Sequence, residues 1–577
     1  LTQAGRRDSN VFSRCGDHSY VSLVAYPEYP RLIHESDSCV LIVEGAVYNR
    51  KESAVRDQLV EICGRMCQDE CASKDDLTEW ISGSDGEYVI LYLDKADEQL
   101  LIANDALGQL PLFWNPHTEQ VTVSRDQRFL ERLLSLKIPD KVGIAEYLSL
   151  GFAFTRRTMM TGIERLAPFS FIHFSSFRGT RLDVLQEWNL ESLGERHIDL
   201  KAAAADLATT FVESTRNRVS ELRPRRPMLA LSGGLDSRAV LAALDKCELS
   251  YSAYTHLRNV SVGQAELDAA AELADVFNCE WRAYHDKPVM PDDAKTIVEN
   301  QCGGSSTAMS VALRDHSRLE DEFGTSLSFL TGDGGNQDMY SSLPTRQLRN
   351  SDEVFGAIFG MIYDFESDTI SRLLRIERDE FIEPARAFIE DMPERNHNWK
   401  YAHYRVIVRG LCAVTSGEDR TRKRFWLLAP FWGLDMFKQS MSVPYRLKVG
   451  YKFYTEFLRQ LDPRALDVVY ADLGGKPGSL RTDLYNRLKR FVTANRKLYR
   501  IAKRVTHRQQ ASEFRFPELD RYIDGLIDRS SYLPECFDMR CLKELRESHL
   551  TLTKYHALNT LVLRMALSEN AARLPEL

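Results

Sequence analysis

The run Pro227-Met228-Leu229-Ala230-Leu231-Ser232-Gly233-Gly234-Leu235-Asp236-Ser237-Arg238-Ala239-Val240 constrains the fold more than any other stretch of the chain. A short apolar strand enters a Gly-Gly turn. The turn opens into a helix whose body is Ala239, Val240, Leu241, Ala242 and Leu244, with Asp236 and Ser237 expected as its caps. Adjacent glycines let the backbone close on a ligand and turn its N–H groups one way. A helix N-terminus adds orphan N–H groups and the positive end of its dipole. Together they form a cradle for a multiply charged anion. The loop has no Gly-Lys-Ser/Thr, which separates it from the common triphosphate loop. Asp236 stands where that lysine would be, and a carboxylate there suits a Mg²⁺ bridge to phosphate oxygens. The plainer alternative, an ordinary Gly-Gly turn before a helix, leaves six ordered residues unexplained.

The string S-G-G-L-D-S at a strand-to-helix turn resembles the pyrophosphate loop of the N-type ATP pyrophosphatases. Those enzymes cut ATP between the α- and β-phosphates and leave AMP on a carboxylate or similar oxygen.

The 577 residues suffice for two or three domains. A composition of 44% hydrophobic and 27% charged residues is that of a globular protein, and a net charge of -8 gives no general reason to bind nucleic acid or an anionic membrane. No apolar run is long enough to span a bilayer. The chain opens Leu1-Thr2-Gln3-Ala4 without an initiator Met or a signal-peptide pattern, so residues are expected to precede Leu1. Eleven scattered cysteines, an odd number, point to a reducing cytoplasm rather than a disulfide framework. Cys63, Cys67 and Cys71 recur every four residues along one helical stripe. With no fourth ligand nearby, they read as a small-residue helix face rather than a closed zinc site.

Two textures divide the chain, and the fold class they imply is α/β with more than one domain. Residues 1–195 read as strands and turns around one helical stretch. Val40–Val43 is a buried strand, a helix runs from about Glu52 to Cys71, Tyr88–Asp94 and Leu100–Ala103 form a hairpin, and Leu112–Trp114 with Gln120–Ser124 suggest a second. Such pairs belong to an antiparallel β-sandwich layer. From Ala202, through 202–577, helix and strand alternate. A helix over Ala202–Val219 precedes the loop strand, and strands at Tyr251–Thr255 and Ser326–Thr331 flank a helix over Gln264–Phe277. That order implies a doubly wound parallel sheet with a ligand at the strand C-termini, followed by a helical extension. The linker is placed near Asn189–Lys201. Residues 481–510 hold ten Lys and Arg against the single acid Asp483. They read either as a solvated helix face or as an electropositive surface for an acidic peptide or another subunit.

From about Val40 to Gly478 the chain resembles the asparagine synthetase family. Gly45, Tyr48 and Asn49 echo the family's N-G-E-I-Y-N, and Asp85-Gly86, Asp94, Asp105, Gly108 and Pro111-Leu112 follow in order. Ala145–Leu148 and Thr161–Pro168 echo the connection to the synthetase half. There S-G-G-L-D-S is followed by Thr331-Gly332-Asp333-Gly334-Gly335, Pro430-Phe431, and Lys452 in a K-x-x-x-x-x-L-R frame with Leu458 and Arg459. The family's first domain is a glutaminase with an amino-terminal Cys nucleophile. Here no Cys precedes Cys15, and the stretch before Gly45 is short by about one strand-turn-strand unit. Glu44 replaces an Asn that stabilises the oxyanion, Ala46 a Glu that holds the substrate amine, and Asn104 an Arg. A carboxylate repels the developing negative charge that an Asn amide stabilises. The resemblance therefore implies a non-catalytic first domain. It also implies kinship with β-lactam synthetases and, given the shortened start, especially with lasso-peptide cyclases. In those, a Glu or Asp of a precursor peptide is adenylated and attacked by the peptide's own amino terminus.

The resemblance implies a set of roles. Ser232, Gly233, Gly234, Asp236, Ser237 and Gly332 hold ATP, and Leu231 and Thr255 border adenine. Asp236 ligates Mg²⁺. The second metal carboxylate falls on Asn336, with Asp338 as its substitute two residues on. Asp333 is the expected general base for the amine. Lys452 is the expected cation at the α-phosphate and at the oxyanion, with Lys448 and Lys476 as alternatives. The expected cofactors are ATP and Mg²⁺. The expected partners are a peptide or small-molecule carboxylate substrate, and a precursor peptide with an associated protease. The competing expectation is an amidotransferase using ammonia on an amino acid or sugar acid. A third is a scaffold protein built on a decayed synthetase, which the intact loop disfavours.

Overall fold

The computed structural model describes residues 9–569 except 17–18, 69, 117–120, 155, 176–178, 195–198, 222–225, 258–259, 286–287, 303, 305, 325, 340–345, 360–364, 449–450, 471–473, 483, 486–487 and 489–515. The side chains of 337 and 338 also lie outside the described set.

The amino-terminal sheet grows from residues whose two faces are both apolar. Strand β4 (Cys39–Val47) pairs antiparallel with β3 (Arg31–Glu35) and β5 (Gly86–Asp94), and β6 (Leu100–Asn104) pairs with β5. Strands β10 (Ser170–Ser175) and β11 (Gly179–Val184) complete six strands in the order β11-β10-β6-β5-β4-β3. Alternation along β4 assigns its faces. Cys39, Leu41 and Val43 pack with Val55, Leu59, Ile62, Cys63 and Met66 of the helix Glu52–Gln68. Val40 and Ile42 pack with Val21 and Leu23 of a separate hairpin, β1 (Ser9–Cys15) with β2 (Tyr20–Ala25). The expected second sandwich layer is therefore this two-stranded hairpin. The expected helix to Cys71 ends at Gln68, and another runs over Glu70–Ser82. Cys63 and Cys67 are buried in the core, as a helix face predicts; the side chain of Cys71 lies outside the described residues. The second expected hairpin is present in brief form. Strands β7 (Phe113–Trp114) and β8 (Val123–Ser124) join β9 (Glu164–Arg165) in a small sheet.

The second half carries a five-stranded parallel sheet. Its strands are β12 (Arg226–Ala230), β13 (Ser252–Leu257), β14 (Glu280–His285), β15 (Leu327–Leu330) and β16 (Trp426–Leu428), in the order β14-β13-β12-β15-β16. Strand order reverses between β12 and β15. In an open parallel sheet the loops leaving the carboxyl ends of such a pair diverge and leave a crevice for a ligand. The loop after β12 is Ser232–Gly234 and the loop after β15 is Thr331–Gly334. Among the described residues, helices make up most of what surrounds this sheet, and the last of them is Leu552–Glu569, whose side chains are buried over most of its length. No helix among the described residues is long and apolar enough to cross a membrane.

Candidate functional site

The loop after β12 closes on itself through its two serines. The Ser237 hydroxyl accepts from the Ser232 N–H at 3.0 Å and donates to the Ser232 carbonyl at 3.1 Å, and the Ser232 hydroxyl accepts from the Gly234 N–H at 3.2 Å. The expected capping differs in the structure. Gly234 is the N-cap of the helix Leu235–Lys246, with φ -74°, ψ 171° and no side-chain cap bond. Asp236 instead lies in the first turn, and Ser237 is committed to Ser232. Without a side-chain cap, the first-turn N–H groups have no intrahelical acceptor and stay available to an anion.

Three of the motif segments converge here. A Cβ on Gly332 would lie 2.6 Å from the carbonyl carbon of Asp236 and from the Ser237 nitrogen, and one on Gly335 would lie 2.6 Å from the Asp236 carboxyl carbon. Only glycine admits this approach of the two loops. Gly334, at φ +96°, presses against Phe431 and Trp432, where a Cβ would come within 2.9 Å of Phe431 Cβ. The turn after β15 is therefore held between Asp236 on one side and the Pro430–Trp432 segment on the other. That segment is itself anchored by the Ser214 hydroxyl donating to the Pro430 carbonyl at 2.9 Å.

Several expected site residues hold positions in the sheet rather than an open crevice. The Thr255 hydroxyl is buried, donates to the Leu231 carbonyl at 2.8 Å and accepts from Trp281 Nε1 at 2.8 Å. Leu231 and Thr255 thus meet at the strand ends, where the Leu231 N–H also donates to the Tyr254 carbonyl at 2.8 Å. Lys452 opens the helix Lys452–Leu461 with an exposed side chain and no ion pair among the described residues. The residue of that helix that reaches the cradle is Tyr454, whose hydroxyl donates to Asp236 Oδ1 at 2.5 Å. Burial and the Asp236 charge together push the Tyr454 phenol well above its ordinary range, so it stays a donor. Lys448 is buried with Nζ 3.3 Å from Ser440 Oγ, and Lys476 is exposed near Asp467. Asn336 is exposed, and the Asp338 side chain lies outside the described residues. Among the described residues no group of three His, Cys, Asp or Glu is placed to hold a metal by protein ligands alone. A Mg²⁺ that keeps several waters and shares phosphate oxygens needs only one or two carboxylates, and Asp236 fits that demand.

The Asp333 N–H donates to Thr331 Oγ1 at 3.2 Å. The charge of Asp333 reaches Glu418, which no motif of the chain marks. Glu418 is fully buried, accepts from Trp432 Nε1 at 3.0 Å and pairs with Arg422 at 3.0 Å. Burial pushes the Glu418 carboxyl up to about 7 against the pull of Arg422, and the Asp333 charge adds to the rise. The loop after β15 therefore borders a carboxyl that exchanges its proton near neutral pH.

Around Asp85, Glu44 and Asn104, where the resemblance expects a non-catalytic glutaminase-like domain, the side chains form internal ion pairs and hydrogen bonds. Asp85 accepts Arg218 in bidentate fashion at 2.7 and 3.0 Å and takes the Leu434 N–H at 2.9 Å. Glu44 accepts the Tyr29 hydroxyl at 2.7 Å and Arg125 Nε at 3.0 Å, while Arg125 also binds Asp419. Asn104 donates to the Ala167 carbonyl and accepts the Ser170 N–H, each at 2.8 Å. Glu87 is buried at the same junction, 3.6 Å from Arg218.

Residues 27–181 match the family model described as a glutamine amidotransferase domain. The matched segment contains the six-stranded sheet up to the middle of its edge strand β11, together with β7, β8 and β9, and it stops before the parallel sheet. No curated protein matches the chain.

Proposed function

We propose that this chain is an ATP-dependent, AMP-forming amide synthetase whose first domain does not hydrolyse glutamine. The observation that carries the reading is the meeting of the Ser232–Ser237 loop and the Gly332–Gly335 turn on Asp236, at the point where strand order reverses. That crevice presents first-turn N–H groups, one carboxylate and a closely packed glycine turn, a donor set that suits a pyrophosphate and its Mg²⁺. Mg²⁺, when bound, neutralises charge developing on the departing pyrophosphate. The substrate carboxylate oxygen attacks the α-phosphorus, the bond to the β-phosphate oxygen breaks, and an acyl-adenylate results. The loop's N–H groups hold the leaving group, and Tyr454 fixes the orientation of Asp236. An amine then attacks the acyl carbon and loses its proton, and the bond from that carbon to the phosphate oxygen breaks to release AMP. Asp333 receives that proton, and Glu418, poised near neutrality, takes up the change in charge beside it.

The amine belongs to the substrate itself in this reading, as in macrolactam formation on a ribosomal precursor peptide. Its support is the pairing of Glu44 with Arg125 and of Asp85 with Arg218, which commits both carboxylates to internal cations. A second reading has one observation in its favour. The match of residues 27–181 to a glutamine amidotransferase domain suits an enzyme that puts ammonia on an amino acid or sugar acid. The deciding experiment incubates the full chain and Mg·ATP with a panel of peptide carboxylates, then with glutamine or ammonium and small acids, and resolves the nucleotides. AMP and pyrophosphate formed with a peptide, and no glutamate released from glutamine, support the first reading. ADP as product overturns it, and glutamate release matched to synthesis establishes the second.

A further inference from the structure

Arg238 follows the loop directly and lies in the first turns of the helix Leu235–Lys246, with no exposed surface. Its guanidinium donates only to main-chain carbonyls: Gly233 at 3.0 Å, Ala465 at 2.8 Å, Val468 at 2.9 Å and Val469 at 3.1 Å. Its Nε has no acceptor, and no carboxylate among the described residues pairs with it. The titratable side chains near enough to act on it are Tyr470, Tyr454 and Glu272. Burial draws the guanidinium down to about 10, so it remains a cation at neutral pH. Carbonyl dipoles solvate such a charge without neutralising it, and a buried charge lacking a counter-ion is costly.

The contact to Gly233 links this charge to the cradle. The Gly233 carbonyl and the Gly234 N–H are opposite ends of one planar trans peptide and point in opposite directions. A guanidinium on the carbonyl end polarises the unit and strengthens the N–H end as a donor. That N–H donates to the Ser232 hydroxyl at 3.2 Å, so the polarisation passes to a hydroxyl of the loop.

We propose that Arg238 is a positioning residue for phosphate recognition: the buried cation behind the loop whose counter-ion is the pyrophosphate moiety of the ligand. The inference rests on the pyrophosphate-loop reading above. It makes the loop discriminate by ligand charge and not only by shape, and it explains why an arginine is held here without a carboxylate.

The test uses the full chain and measures calorimetric affinities for magnesium pyrophosphate, Mg·ATP and uncharged adenosine. Arg238→Met removes the charge at similar volume. We expect it to weaken pyrophosphate and ATP by about ten-fold or more while adenosine changes by less than about two-fold. Arg238→Lys keeps the charge without the four-carbonyl geometry, and we expect it to retain pyrophosphate within about three-fold of wild type. If all three ligands weaken equally, or none does, Arg238 only shapes the loop and the proposal falls. If Arg238→Met does not fold, the lysine variant decides alone, and a ten-fold loss of pyrophosphate there overturns the proposal. A wild-type protein that binds no pyrophosphate overturns the loop reading beneath it as well, which separates the two failures.

Discussion

Replacing Gly332 by alanine tests whether the two loops form one cradle. The Gly332 backbone is outside the left-handed region, so alanine meets no torsional penalty and the entire effect is steric. Its Cβ would stand 2.6 Å from backbone atoms of Asp236 and Ser237, where ordinary contact begins at 3.4 Å. The turn after β15 or the helix N-terminus must then retreat by about 0.8 Å, because the obstructing atoms are main chain and cannot rotate away. Overpacking of this kind costs ~1–3 kcal/mol, offset by ~0.4–1 kcal/mol from the stiffer unfolded chain. A displacement approaching 1 Å at a reacting centre costs on the order of 10²-fold in rate. Gly324→Ala is the matched control. Gly324 sits at φ +78°, ψ -172°, with nothing within 4 Å of an added Cβ, before β15 and at the opposite end of that strand from the cradle. Alanine there costs ~1–3 kcal/mol of backbone strain. The two variants should therefore lose similar stability in urea titrations, while only Gly332→Ala loses magnesium-pyrophosphate affinity. If Gly332→Ala binds pyrophosphate like wild type, the loops do not share a ligand and the crevice has been misread.

Two further outcomes follow from the buried charges. Asp85→Asn leaves Arg218 buried without its bidentate partner and should destabilise the full chain by ~3–5 kcal/mol; an unchanged urea midpoint would mean the pair carries no energy. Glu418 takes its proton at about 7 in the folded chain against 4.5 as its ordinary value, so the native state binds more protons than the unfolded state across that window. Stability from this group is complete below about 4.5 and is lost as the pH rises through about 7. The stability difference between wild type and Glu418→Gln should fall over that range and stay level outside it, and a difference that rises with pH would refute the assignment.

What the sequence made legible is what the backbone alone dictates. The β5–β6 hairpin and the strands β12, β13 and β15 are apolar runs bounded by turn residues, and their positions follow within a residue or two. The glycine loops are legible because close approach and an uncapped helix start need particular residue types. Strands β14 and β16 were missed for physical reasons. The first, Glu280-Trp-Arg-Ala-Tyr-His285, is a polar edge strand with no buried face to pattern, and the second is three residues long after a highly charged helix. Lys452 and Tyr454 lie two residues apart on one helix, and only the packing of Phe453, Phe457 and Leu458 determines which of them turns toward Asp236. Arg238 was in view beside the motif, but its significance lies in what does not pair with it, which a sequence does not record. The basic stretch from Arg481 to Arg508 lies largely outside the described residues, and Leu484, Tyr485 and Leu488 within it are exposed.

Ion pairs between buried side chains join the first domain to the elements around the parallel sheet. A carboxylate buried at a junction must find a cation or give up its charge. Glu44, Asp85 and Glu87 of the first domain find Arg125, Arg218 and Arg422, and each arginine has a second acidic neighbour: Asp419 for Arg125, Glu87 beside Asp85 for Arg218, Glu418 for Arg422. Arg218 lies on the helix that holds Pro430 through Ser214, and Arg422 holds the Glu418 that borders Asp333. Carboxylates of the first domain thus serve as counter-ions for the elements around the crevice at the ends of β12 and β15. Separating the halves would leave Arg218 and Glu418 without the environment that sets their charge. Because Glu87 lies among the groups that raise the Glu418 carboxyl, the first domain contributes electrostatically to the proton-exchanging side of the site without touching a ligand.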